Sequence, residues 1–112
     1  MTTVSPPQTQ INSVITLYSN GQVQEALDSV EVLIKDYPNE ALLHNISGAF
    51  YQAIGQLNES VMSFKKAITI NSKSPELFNY LGHTLSKLNN LAEANLNFKK
   101  ALELDSNSLR LS

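Results

Sequence analysis

The sequence predicts an all-α chain built from three tandem helix–turn–helix units, and three observations carry that prediction. Blocks of sequence recur at a spacing of 34 residues. Within each block, apolar residues return every three or four positions, the period of a helix face rather than of a strand. Between the apolar stretches stand Asn, Gly, Ser and Pro, the residues that stop and start helices.

The repeat is legible residue by residue. With Gly48 set above Gly82, Tyr51 falls over Leu85, Leu57 over Leu91, Glu59 over Glu93 and Ser60 over Ala94. Phe64-Lys65-Lys66-Ala67 then stands over the identical Phe98-Lys99-Lys100-Ala101, and Ile70-Asn71-Ser72 over Leu104-Asp105-Ser106. A more divergent copy precedes them, in which Leu17, Gly21, Val23 and Glu25-Ala26 match Tyr51, Gly55, Leu57 and Glu59-Ser60. Internal repeats of this length mark stacked two-helix units.

Taken in order, the first unit predicts helices over 8–19 and 22–36, parted by Asn20-Gly21. The second predicts helices over 41–53 and 57–70, parted by Gly55-Gln56. The third predicts 75–88 and 91–104, parted by Asn89-Asn90. Asn and Gly tolerate the left-handed conformation that ends a helix. Ser74-Pro75-Glu76 is a start signal, with Ser at the cap and Pro in the first turn. Phe78, Leu81, Leu85 and Leu88 form the apolar stripe of the fifth helix; Ala94, Phe98, Ala101, Leu102 and Leu104 form that of the sixth. The small residues Gly48, Gly82, Ala26, Ala94, Ala67 and Ala101 belong where two helices cross closely.

The pattern resembles the tetratricopeptide repeat, over residues 7–108. Gly48, Gly82, Ala26, Ala94, Ala67 and Ala101 stand at that family's small positions. Leu81, Tyr51, Leu85, Phe64 and Phe98 stand at its bulky ones, and Pro38 at its terminal proline. The first copy departs, with Val14 where the others have Gly and Leu33 where they have Ala, as a terminal unit is free to do. Ser72 and Ser106 replace the proline in the later copies. The resemblance implies repeats over 7–40, 41–74 and 75–108 stacked as a right-handed α-α superhelix. A flexible N-terminus (1–6) precedes them, and 109–112 form a stump that begins a further helix or a tail.

Composition narrows the function. Hydrophobic residues make up 42% of the chain, enough for a folded core and too many for intrinsic disorder. No apolar run is long enough for a membrane span, and residues 1–10 lack the basic and apolar regions of a secretory signal, so a cytoplasmic location is expected. There is no cysteine, hence no disulfide or thiolate chemistry. Net charge is −2, and the basic doublets Lys65-Lys66 and Lys99-Lys100 read as solvated helix faces, which excludes a nucleic-acid surface. The two histidines, His44 and His83, lie in different repeats: His44 at a packing position, His83 on the concave side. No pair of carboxylates is placed to share a reacting group. No catalysis, metal or cofactor is expected. The sequons Asn45-Ile46-Ser47 and Asn58-Glu59-Ser60 are chance matches without a secretory signal.

The resemblance implies a concave groove lined by the first helix of each unit. Carried over by place in the repeat, its lining is Gln8, Ile11, Ile15, Tyr18 and Ser19, then Leu42, Asn45, Ala49, Gln52 and Ala53, then Glu76, Asn79, His83, Ser86 and Lys87. That surface reads as apolar at one end, amide-rich in the middle and charged at the other, without an aromatic pocket. Asn45 and Asn79 recur at the same place and form an amide ladder suited to the backbone of an extended peptide. The carboxylate clamp of chaperone-binding members is excluded, because its places hold Ile11, Ile15, Ile46, Glu76 and Tyr80. The expected function is a protein-interaction scaffold for a peptide or partner domain. The alternative is the N-terminal targeting or substrate-presenting segment of a larger enzyme such as a glycosyltransferase, sulfotransferase or oxygenase. Leu91, Leu96, Phe98 and Leu102 leave the last helix without a polar cap, which points to a fragment or to a homodimer through that helix.

Overall fold

A computed structural model describes residues 5–111, with side chains to residue 106. The described residues form six helices: α1 Gln8–Ser19, α2 Val23–Asp36, α3 Ala41–Ala53, α4 Leu57–Ile70, α5 Pro75–Lys87 and α6 Leu91–Leu111. No strand occurs among them. Each helix packs on its chain neighbours, so the pairs α1–α2, α3–α4 and α5–α6 stack in sequence. The shortest dimension of the molecule, 21 Å, is that of two helix layers, each about 10–12 Å thick.

The turns inside the pairs are the same device three times. Gly21 (φ 83°), Gly55 (φ 79°) and Asn89 (φ 63°) occupy the left-handed region one repeat apart. In each, the next residue donates its N–H five positions back: Gln22 to the Leu17 carbonyl, Gln56 to Tyr51 and Asn90 to Leu85, all at 2.9 Å. This is the helix-ending loop in which a left-handed residue lets two N–H groups cap the last carbonyls. Between pairs, Ser74 caps α5 as expected: its Oγ accepts from Leu77 N at 3.4 Å, with Pro75 opening the helix.

The helix bounds agree with expectation except at the end of the chain. The sixth helix runs to Leu111, seven residues past the expected 104, so Leu109 and Leu111 continue α6. Ser106 stands where the first unit has Pro38, and Leu109 where the third has Pro75. Neither proline nor glycine interrupts the backbone there. Residues 1–4 of the expected flexible N-terminus, and Ser112, lie outside the described residues.

The core runs along the stack. Ile11, Val14, Ala26, Leu27, Val30, Leu33, Leu43 and Phe50 are buried together across α1, α2 and α3. Phe64, Leu81, Leu85 and Ala94 continue it across α4, α5 and α6. The crossing inside the second and third pairs is set by glycine. A Cβ on Gly48 would come within 2.7 Å of the Phe64 ring, and one on Gly82 within 2.7 Å of the Phe98 ring. The first pair solves the crossing differently, with Val14 and Val30 at the two corresponding places and both buried. A buried polar relay joins the second and third units. Ser60 Oγ donates to the Gly48 carbonyl at 2.8 Å, and Thr84 Oγ1 donates to Gln52 Oε1 at 2.8 Å. These bonds satisfy groups that would otherwise be costly to bury, and they fix how α3, α4 and α5 sit on one another.

Candidate functional site

A cavity of about 390 Å³ opens on the face formed by α1, α3 and α5. Its lining is Ile15 from α1, Asn45, Ile46, Ala49, Phe50 and Gln52 from α3, Phe64 from α4, and Tyr80 and His83 from α5. Phe50 and Phe64 are buried and make its floor. Tyr18 stacks on Phe50 with ring centroids 4.6 Å apart and planes 7° from parallel. Tyr80 leans on Phe64 at 5.8 Å and 35°. Two aromatic pairs therefore flank the opening, each with a buried Phe beneath a Tyr that is more than one-third exposed. Ile15 and Tyr80 are 45% and 44% exposed, so the rim presents apolar surface to water.

The structure brings together Ile15, Asn45, Ala49, Gln52 and His83, with Tyr18 adjoining through its stack on Phe50. Ile11 is elsewhere: only 5% exposed, it packs into the core with Val14 and Leu43, because its place on α1 turns towards the other helix layer. Leu42, Asn79, Glu76 and Lys87 are exposed but do not line the cavity. Glu76 belongs to the helix cap, its Oε1 accepting from Ser74 Oγ at 3.1 Å. The expectation that no aromatic pocket exists is corrected. Phe64 reaches the opposite helix layer because Gly48 has no side chain to block its ring, and Tyr80 joins it there. The pairing of Gly48 with Phe64 across one repeat was the sequence signal for that pocket.

Several other titratable groups make contacts within the fold. His44 is buried, and its Nε2 donates to the Pro38 carbonyl at 2.9 Å, tying α3 to the loop before it. Glu31 collects hydroxyls on the α2–α4 side: Ser47 Oγ donates to its Oε2 at 3.1 Å and Tyr51 OH at 3.4 Å. Burial, then the Glu31 carboxylate, push the Tyr51 phenol above its ordinary value. Lys65 and Glu93 form an exposed ion pair at 3.1 Å between α4 and α6, a contact of small energetic weight. Among the described residues, no group of three or more His, Asp or Glu could hold a metal ion, and no helix is long and apolar enough to cross a membrane.

Comparison with known proteins gives this geometry a family. A tetratricopeptide repeat family model matches residues 41–74 and 75–108. No protein of curated function matches the chain significantly in sequence. Among solved structures, MamA (residues 41 to the end) from Desulfovibrio magneticus RS-1 superposes with a TM-score of 0.84 at 20% identity, over 89% of this chain and 56% of its own. The Yersinia enterocolitica type III secretion chaperone SycD, in complex with a peptide of the translocator YopD, gives 0.83 at 22%, over 87% and 74%. The second TPR of Spaghetti, bound to an HSP90 peptide, gives 0.80 at 21%, over 86% and 89%. The chain spans less than two thirds of the length of the MamA structures it matches, 56–63%. At such identities these likenesses show the fold. With most of the chain matched by the family model and six helices stacked in pairs, the chain belongs to the tetratricopeptide repeat family.

Proposed function

We propose that the chain is a protein-interaction module that holds a peptide segment or partner domain against the face of α1, α3 and α5, with no chemistry of its own. The observation that carries this is the aromatic-floored cavity, concave and open, with amides from Asn45 and Gln52 beside apolar walls. Such a mixture of apolar surface and a few polar groups is what binding clefts offer. The structures of SycD with a YopD peptide and of Spaghetti with an HSP90 peptide support the reading, since both hold peptides on the same fold. Asn45 and Asn79 recur on α3 and α5 as the amide ladder for the bound backbone.

A peptide-array screen tests this proposal. Wild-type protein retains a set of peptides, and Asn45→Ala/Asn79→Ala weakens that set by about tenfold. Full retention by the double variant removes the ladder from the reading.

The exposure of Leu91 (55%), Leu96 (67%) and Leu102 (67%) on α6 favours a second reading, self-association through this helix. Sedimentation of the wild type at high concentration then gives a dimer, and Leu96→Glu/Leu102→Glu gives a monomer. A wild-type monomer removes that reading.

A further inference from the structure

The charges of this chain are sorted by helix layer. α1 and α3 contain no Asp, Glu, Lys or Arg at all, and α5 has only Glu76 and Lys87, one at each end. Those two sit where a helix favours them, an acid in the first turn and a base in the last. The remaining charges of the repeats lie on α2, α4 and α6 or in the loops. The cavity face is therefore uncharged over its whole middle, and its exposed residues include Ile15, Tyr18, Leu42 and Tyr80.

From this we infer that the groove selects an uncharged, apolar peptide segment, anchored by one bulky aliphatic or aromatic side chain seated between the Tyr18–Phe50 and Phe64–Tyr80 pairs; the inference rests on the groove reading above. A charged segment would lose hydration on entering a cleft walled by Ile15, Ile46, Phe50 and Phe64, and no lining Lys, Arg, Asp or Glu would offset that loss. An apolar anchor loses nothing polar and covers two tyrosines and an isoleucine now facing water. The backbone amides on either side of the anchor meet Asn45 at the rim, which can both donate and accept. Recognition on this face needs no free peptide terminus and is nearly blind to salt.

Fluorescence anisotropy with three sets of end-capped synthetic peptides tests the inference: one neutral with a central Leu or Phe, one acidic and one basic. The neutral set binds tightest, its affinity shifts by less than about twofold across a wide range of salt, and replacing the central residue by Ala weakens it by about tenfold or more. Tyr80→Ala and Ile15→Glu each cause a comparable loss, while circular dichroism shows both variants folded. If an acidic or basic peptide binds tightest and Ile15→Glu still abolishes it, the groove stands and its neutral selectivity falls. If neutral peptides bind but neither groove variant weakens them, the groove reading falls and the inference with it. Binding by none of the three sets overturns both.

Discussion

Gly48 and Phe64 behave as a single unit of packing. The ring occupies the space a Cβ would need, at 2.7 Å, so neither residue can change size alone. Val14 and Val30 divide the same space more evenly in the first pair. Gly48→Val by itself is therefore expected to cost about 1–3 kcal/mol through overpacking. Gly48→Val/Phe64→Val, which copies the first pair, is expected to cost clearly less than the sum of the two single changes. Chemical denaturation of the four proteins checks this, and strict additivity would contradict it. The departure of Val14 from the repeat pattern was visible in the sequence, but its partner was not, because Val30 looks like any other core valine. Tyr51 offers a second test. Its phenol is raised by burial and by Glu31, so the folded protein holds the proton more tightly than the unfolded chain, whose value is near 10.0. The stability this contributes is fully present below pH 10 and is lost as pH rises through the folded value. In a spectroscopic titration one phenol is expected to ionise last, and Tyr51→Phe is expected to remove it.

The helices and their turns were the most legible elements, because apolar spacing and helix-stopping residues agree at every boundary up to residue 91. Gly21, Gly55 and Asn89 show why: each turn needs a residue with positive φ, and only a few residue types adopt it cheaply. Gly55→Ala is accordingly expected to lower stability by about 1–2 kcal/mol. Asn89→Gly is expected to be neutral or slightly stabilising, since Asn already bears some of that strain. Thermal melts of the two variants should move in those different directions. The end of α6 was misjudged for a related reason. A helix continues by default until something stops it, and after residue 104 the family pattern suggested a stop that no proline or glycine supplies. The exposed face of α6 belongs to the same element. Leu102 occupies the place that Ile68 holds on α4, yet Leu102 is 67% exposed while Ile68 packs against the core. Leu102→Ala is expected to change stability by less than about 0.5 kcal/mol, and Ile68→Ala by more than about 1 kcal/mol. Equal losses would mean that another surface covers α6.

Across the whole molecule, two layers of helices divide the labour. The even-numbered helices carry most of the charge, and the odd-numbered ones present a nearly uncharged face with a cavity of about 390 Å³ at its centre. Part of that site was legible: Ile15, Asn45, Ala49, Gln52 and His83 follow from their places in the repeat. Ile46 and Tyr80 entered the site only as places of the carboxylate clamp, and Phe50 and Phe64 not at all, because a helical stripe assigns a residue either to the core or to the surface. Phe64 does both, with one edge in the core and the other on the cavity floor. Ile11 erred the opposite way, since the first pair closes over it. Chemical-shift mapping with a neutral, end-capped peptide carrying a central Leu addresses the proposed groove most directly. Saturating peptide is predicted to move the amide signals of Ile15, Ala49, Tyr80 and His83 and to leave those of Val32, Met62 and Leu96, on the charged layer, in place. Shifts confined to α2, α4 and α6 would contradict the proposal that this chain binds through its uncharged face.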